Sequence, residues 1–179
     1  MHLENIEGAP ESPISDIKSG KIFETCDLWI LSKLQKAITI ADNEFSKFEY
    51  CDARVAVEDF FWNDFCDNYL ELIKGRIYNS SNKESQQSAI YSVYHVLDAL
   101  VRLFAPFMPH ICDELNEVIF KRDYSINSRG SWPKIESHYL DENKISEGEA
   151  IKNLVKDIRT KKSNAKLALN AVWEEEVPY

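Results

Sequence analysis

Residues 61–78 read FWNDFCDNYLELIKGRIY and carry the densest indication of the fold class. Its apolar side chains recur at three- and four-residue steps and fill about half the circumference of a helix. Polar side chains occupy most of the remaining circumference, which is typical of a helix that packs against others. The apolar residues are Phe61, Trp62, Phe65, Cys66, Tyr69, Leu72 and Ile73.

The same pattern extends on both sides of this stretch and predicts an all-α fold. Five glycines and six prolines leave little turn material for many short strands. Short loops between long helices favour antiparallel neighbours, so we expect an antiparallel bundle of four to five helices. Asp52 is the predicted N-cap of the second helix. The predicted helices cover residues 24–47, 53–78, 84–105, 110–120 and 147–162.

The 179 residues divide into an irregular lead-in at 1–23, a helical domain at 24–171 and an acidic tail at 172–179. A chain of this length can bury a core of its own. The four cysteines form no C-x-x-C pair, which favours free thiols and a cytoplasmic protein. No apolar run approaches the roughly 20 residues of a membrane span. We therefore expect a cytoplasmic monomer without a membrane partner.

The charge of the chain is distributed unevenly. The whole sequence carries −9, but residues 151–166 contain six bases and one acid, so the remainder carries −14. A local cluster of cations suits phosphates, although cations near a helix end also complement the helix dipole. The six bases are Lys152, Lys156, Arg159, Lys161, Lys162 and Lys166.

Several stretches, in the same order along the chain, resemble one known family. They are DLWILSKL at 27–34, the stretch at 61–78, LFAPFMPHICDEL at 103–115, SWP at 131–133 and IRTKKS at 158–163. Together they resemble the anticodon-binding domain of class I aminoacyl-tRNA synthetases, in the valyl-tRNA synthetase type. The wording WNDFCD within the second stretch is similar to the valyl type in particular. Residues 167–171, LALNA, continue the resemblance to its basic C-terminal stretch.

The resemblance implies that this chain recognises the anticodon stem-loop of valine tRNA. It also implies a parent ligase that activates valine with ATP and esterifies it to tRNA in protein synthesis. The sequence lacks the catalytic signatures and the editing domain of that parent, and the helix that precedes Thr25 in the family. We therefore expect no catalytic residues and no cofactor here. The expected partners are tRNA and the catalytic body of the parent enzyme.

The candidate tRNA-binding residues fall into three groups. The cations of the last helix are candidates for phosphate contacts, and two amides that follow are candidate readers of base edges. Two cations at the end of the second helix are weaker phosphate candidates. The three groups are Arg159, Lys161, Lys162 and Lys166; Asn164 and Asn170; and Lys74 and Arg76.

Aromatic residues of the second helix have two readings. Phe61, Trp62, Phe65 and Tyr69 could stack on unpaired bases, but they lie on the apolar arc, so we favour core packing. For Phe60, which falls in the polar arc, both environments stay open.

Acidic and histidine side chains do not suggest catalysis or metal binding. Asp64, Asp67 and Glu71 share a helix face but have no nucleophile or ligand set beside them, and Glu71 is expected to pair with Lys74. The four histidines have no metal-ligand spacing. The alternatives to the valyl domain are the isoleucyl or leucyl equivalent and a helical protein-interaction module.

Overall fold

The computed structural model describes residues 13–79, 81–134, 141–166 and 168. All regular secondary structure in these residues is helical, which confirms the all-α prediction. The helices are α1 (Pro13–Lys18), α2 (Thr25–Ser46), α3 (Tyr50–Asp59), a π-helical segment (Phe60–Tyr69), α4 (Leu70–Asn79), α5 (Lys83–Phe104), α6 (Pro109–Phe120), α7 (Ile126–Arg129) and α8 (Glu142–Asn164).

Successive long helices alternate in direction, as expected for an up-down bundle. The Ser88 hydroxyl near the start of α5 donates to Asp27 near the start of α2. Near the other ends of these helices the rings of Phe45 and Phe107 lie 5.7 Å apart. α2 and α5 are therefore parallel, and the unit from α3 to α4 returns between them.

The core lies where α2, the π-helical segment and α5 meet. Trp29, Tyr69 and Tyr91 are its largest fully buried side chains. Tyr69 belongs to the predicted apolar arc of the second helix. Burial contributes roughly 1.5–3 kcal/mol for each large apolar side chain removed from water. Other core residues are Ile30, Leu34, Ile38, Ala41, Val57, Phe65, Ile73, Val93, Val96, Leu100 and Leu103.

The π-helical segment keeps one face of the second helix on this core. Phe60 and Phe65 are five residues apart, and Tyr69 follows four residues later, yet all three are buried. An α-helix repeats every 3.6 residues and would turn this set away from the core, whereas the wider i→i+5 turn keeps it aligned. Phe60, whose environment the sequence left open, is therefore a core residue.

The predicted N-cap at Asp52 is wrong. α3 begins at Tyr50, so Asp52 lies inside its first turn. The observed N-cap is Glu49, three residues before the predicted one, and the preceding Phe48 reverses the chain in a left-handed conformation with φ 64°. The turn therefore falls at residues 47–49.

α8 begins five residues before the predicted start at Glu147. The Asp141 side chain accepts hydrogen bonds from the backbone N–H groups of Asn143 and Lys144, which caps the helix at Glu142. The apolar period is weak in the first turns of α8, so the sequence pattern does not reveal this role of Asp141.

The stretch expected to be an irregular lead-in contains α1. Asp16 on this helix is fully buried, and one of its carboxylate oxygens lies 2.7 Å from Nε2 of His95 on α5. The ammonium group of Lys21 lies 3.3 Å from the other oxygen. The contact between Asp16 and His95 therefore attaches α1 to the bundle, and the apolar pattern cannot reveal it.

All four cysteines lie in described residues and are free thiols, as the sequence predicts. Burial, reinforced by the charge of Asp27, raises the pKa of the Cys26 thiol to about 12, so this thiol is protonated at neutral pH. Burial also raises the pKa of Cys112, to about 11. Cys51 is exposed. The predicted acidic tail at 172–179 lies outside the described residues.

Candidate nucleic-acid interface

The first half of α8 packs closely against α2. Gly148 faces the fully buried Trp29, and a Cβ atom at position 148 would overlap the indole ring. Ile145, three residues earlier, is the other buried residue of α8. Glycine at 148 therefore permits an approach that no other residue type allows without moving one of the helices.

An ion cluster of four side chains holds α8 just beyond this contact. The Asp64 carboxylate lies 3.0 Å from the ammonium nitrogen of Lys33 and 3.0 Å from that of Lys152. Glu149 lies 3.0 Å from Lys33. Burial lowers the pKa of Lys33, but its hydrogen bonds to Glu149 and Asp64 outweigh that effect, and the net shift is upward. Lys152 is therefore a structural cation, although it belongs to the basic run.

α8 runs in the same direction as α2. Gly148 lies at Trp29, and four residues later Lys152 lies near Lys33, since both bind the same carboxylate. At 1.5 Å per residue, Asn164 lies about 18 Å beyond Lys152 along the helix axis. The carboxyl ends of α8 and α2 therefore point toward the same end of the bundle.

The outer part of α8 presents cations, and we call this set the basic end of α8. None of residues 149–164 is buried, and Leu154 and Ile158 are 61% and 40% exposed. The carbonyl dipoles at the carboxyl end of a helix attract cations, so cations in the last turn also stabilise the helix. The basic end comprises Lys156, Lys161 and Lys166, which are exposed, and Arg159 and Lys162, which are half-buried.

An aromatic cluster that the sequence analysis missed occupies the end of the bundle toward which α8 points. We call it the aromatic end. Phe45 lies 5.5 Å from Tyr50 and 4.9 Å from Trp132 between ring centroids. Phe48 and Tyr50 remain 76% and 48% exposed. The available signal was a phenylalanine in the turn between two helices, where polar residues are the rule. The aromatic end comprises Phe45, Phe48, Tyr50, Phe107 and Trp132.

Arg76, one of the weaker phosphate candidates, lies away from this end. Its guanidinium donates to both oxygens of Asp27, at 3.0 and 2.8 Å, and to the hydroxyl of Ser85 at 2.9 Å. Tyr69 donates its hydroxyl to the same carboxylate at 2.8 Å. Burial lowers the pKa of Arg76, but the Asp27 pairing outweighs it and the net shift is upward. These contacts commit Arg76 to the fold.

Lys74 is exposed and lies 3.0 Å from Glu71, the pairing that the sequence predicts. It sits on α4, outside both the basic end and the aromatic end. Asn164 is the exposed last residue of α8 and adjoins the basic end. Asn170 lies outside the described residues.

The aromatic side chains of the second helix divide into two environments. Phe65 and Tyr69 are buried, and Phe61 packs partly against the core, as predicted. Trp62 is 59% exposed, so the prediction of core packing is wrong for this residue. The π-helical turns shift its side chain out of the arc that a regular α-helix would bury. Trp62 therefore becomes available for contacts outside the chain.

Within the described residues, no group of three or more His, Cys, Asp or Glu side chains could hold a metal ion. No helix found there has the length and apolar character needed to cross a bilayer. His95 is buried and lies 2.7 Å from Asp16, which is a structural contact.

Comparison with known proteins identifies relatives along most of the chain. The family described as the anticodon-binding domain of tRNA ligase matches residues 27–177. The valine–tRNA ligase of Orientia tsutsugamushi (strain Boryong) is 44% identical over 151 residues, covering 82% of this chain and 18% of that protein. The valine–tRNA ligase of Ehrlichia canis (strain Jake) is 40% identical over 149 residues, covering 83% and 19%.

A third relative gives the same picture. The valine–tRNA ligase of Wolbachia pipientis wMel is 43% identical over 141 residues, covering 79% of this chain and 16% of that protein. The chain thus spans about a fifth of the length of the curated relatives it matches.

Proposed function

The chain belongs to the anticodon-binding domain family of tRNA ligases, and we propose that it binds the anticodon stem-loop of valine tRNA. The relatives favour the valine enzyme over the isoleucyl, leucyl and protein-interaction alternatives. In this proposal the chain recognises the RNA, while ATP-dependent activation of valine and its transfer to tRNA belong to the longer protein. The cytoplasm as compartment and the monomer as state remain part of the proposal.

The basic end of α8 contacts phosphates in this proposal. Lys161 is exposed on the last turn of α8 and Lys166 follows the helix, while Arg159 and Lys162 are partly accessible. Each cation that neutralises a phosphate releases bound counterions, so affinity should fall steeply with salt. The −14 charge on the rest of the chain repels RNA elsewhere and restricts binding to this region.

The aromatic end supplies base contacts. Unpaired bases in an RNA loop stack on aromatic side chains, which read them with little regard to hydrogen-bonding pattern. Phe48 and Tyr50 are exposed there, and Trp62 is exposed on the following helix. Asn164 and Asn170 are the proposed readers of base edges, because an amide both donates and accepts hydrogen bonds. Phosphate contacts would fix the position of the RNA on the protein, and base contacts would select the anticodon.

The observation that carries the proposal is the convergence of two features at one end of the bundle. A cationic helix end and exposed aromatic rings both lie toward the turn at residues 47–49. An RNA loop presents phosphates and splayed bases to the same protein surface. A surface for protein partners would not require this pairing of charge with exposed rings.

Titration with valine tRNA at two salt concentrations tests the proposal. We expect Lys161→Glu/Lys162→Glu to weaken binding by roughly tenfold or more and to reduce the salt slope by about two. Thermal stability should change little, because both residues lie on the outer part of α8.

Lys18→Glu/Lys83→Glu provides a matched control. It makes the same change in net charge at two exposed lysines outside α8, so it should alter affinity far less. A tRNA with a swapped anticodon should bind more weakly than valine tRNA. Binding that ignores both salt and anticodon would reject the proposal and favour a protein-interaction module.

A further inference from the structure

We infer that Asp64 is a positioning residue for RNA binding, an acid that aims the basic end of α8 at the phosphates. This inference rests on the proposed function and deepens it. Asp64 itself is 5% exposed and cannot contact RNA. Its effect on binding is exerted through the position of α8.

The geometry joins three helical elements at one carboxylate. Asp64 lies on the π-helical segment, and its two oxygens bind different lysines. One oxygen contacts Lys33 of α2 and the other contacts Lys152 of α8, each at 3.0 Å. A carboxylate that bridges two ammonium groups fixes the rotation of α8 as well as its distance from the bundle. Hydrophobic contact alone would fix the rotation less closely.

The Asp64 bridge lies where the packed half of α8 gives way to its exposed half. Its buried residues are Ile145 and Gly148, and no residue from 149 to 164 is buried. Among the ion pairs of the described residues, those made by Glu149 and Lys152 are the last along α8 before the basic end. A helix of about 12 residues is only marginally stable by itself in water. Loss of the Asp64 bridge would leave the Lys33–Glu149 ion pair between α2 and α8, so the orientation of α8 beyond Lys152 would be held less tightly.

The π-helical segment explains why an acid stands at this position. The wider turns keep Phe60, Phe65 and Tyr69 on the core face, and Asp64 lies directly beside Phe65 at the edge that faces α8. With regular α-helical turns the register between this edge and Lys152 would change. π-helical turns are uncommon and often occur at functional sites, which fits a positioning role.

Positioning and simple electrostatics predict opposite signs for the loss of this acid. Removal of a negative charge near a cationic RNA-binding surface should strengthen binding if long-range attraction decides the outcome. If Asp64 instead holds the basic end in place, Asp64→Asn should weaken binding although the protein becomes less anionic. The sign of the change therefore separates the two effects.

The experiment compares Asp64→Asn with Asp67→Asn in the full chain. Asp67 is exposed on the same π-helical segment, so both variants lose one negative charge from one element. We expect Asp64→Asn to weaken valine tRNA binding by roughly three- to tenfold and to lower the salt slope by about one. Asp67→Asn should leave binding unchanged or slightly tighter.

Two further measurements separate positioning from loss of folding. Binding is measured well below the unfolding midpoint of each variant, where a destabilised but folded protein keeps its salt slope. Amide hydrogen exchange should rise in Asp64→Asn for residues 153–164 and stay unchanged for α5.

The outcomes distinguish this inference from the proposed function. If Asp64→Asn binds as tightly as the parent chain while Lys161→Glu/Lys162→Glu weakens binding, the positioning role is overturned and RNA binding by α8 stands. If the parent chain shows no salt-dependent binding to valine tRNA, the proposed function fails and the inference falls with it.

Discussion

Arg76 and the basic end of α8 are both cationic and lie on helices, yet the fold uses them in opposite ways. The guanidinium of Arg76 donates hydrogen bonds to the buried carboxylate of Asp27 and to Ser85. Lys156, Lys161 and Lys166 of the basic end are exposed. The number of cations in a stretch of sequence therefore does not reveal whether they bind a partner or the protein itself.

Some residues of the motif stretches at 27–34 and 61–78 have a structural role. Asp27, Tyr69 and Arg76 come from two separate motif stretches, and the structure joins them in one hydrogen-bonded network. That network fastens α2 to the π-helical segment and α4. These motif residues therefore build the scaffold, while the proposed RNA contacts lie at the opposite end of the bundle.

The largest effect is expected where the internal charge network is broken. Asp27→Ala removes the fully buried carboxylate that accepts from Arg76, Tyr69 and Ser88. An unpaired guanidinium is then left partly buried, so the free energy of unfolding should fall by about 3–5 kcal/mol. Urea denaturation measures the change.

Glu71→Ala, at an exposed pair, is the control and should cost less than about 1 kcal/mol. Equal losses of unfolding free energy in the two variants would contradict the distinction between buried and exposed ion pairs.

A smaller effect is expected at the packed half of α8. Gly148→Ala places a methyl group against the Trp29 ring, and one of the two helices must move. Overpacking of this kind costs about 1–3 kcal/mol, and displacement of α8 should also weaken tRNA binding.

The control for this variant is Gly75→Ala on α4. A Cβ atom there meets nothing within 4 Å, and alanine favours helix, so stability should stay equal or rise. Thermal unfolding of the two variants gives the comparison. A stable Gly148→Ala that binds tRNA normally would show that the close contact with Trp29 does not fix α8.

The smallest effect concerns pH and the attachment of α1. Burial lowers the pKa of His95 from its usual 6.5, and the hydrogen bond to Asp16 offsets only part of that shift. The unfolded chain therefore binds a proton more readily than the folded protein, so stability is full above pH 6.5 and declines as pH falls through the lowered pKa of His95. Unfolding midpoints measured between pH 7 and 5 should show this decline. His95→Gln should flatten it, and an unchanged decline would assign the titration to other groups.

Much of the fold follows from local pattern. The three- and four-residue spacing of large apolar side chains placed α2, α5 and α6 within two residues of their observed bounds. α8 was placed with less accuracy because Asp141 begins it through a side-chain cap on a polar stretch. α1 escaped prediction because its attachment depends on Asp16 and His95, which are 79 residues apart in sequence.

The candidate site was predicted less completely than the fold. The sequence indicated the basic run, but it could not separate Lys152, which Asp64 binds, from the cations further along α8. It also placed Trp62 in the core, since a regular helical period was assumed where the structure has π-helical turns. The aromatic end was missed because Phe45, Phe107 and Trp132 come together from three distant parts of the chain.

By itself, the sequence determined the helical class, the apolar faces, the positive charge of residues 151–166 and the family of the chain. Those properties depend on residue type and on spacing over one or two helical turns. The tertiary structure shows which cations form ion pairs within the protein and which are exposed, because an ion pair depends on distances between residues far apart in sequence. It also decided that α8 and the exposed aromatic rings point to one end, since helix direction is set by packing against the whole bundle.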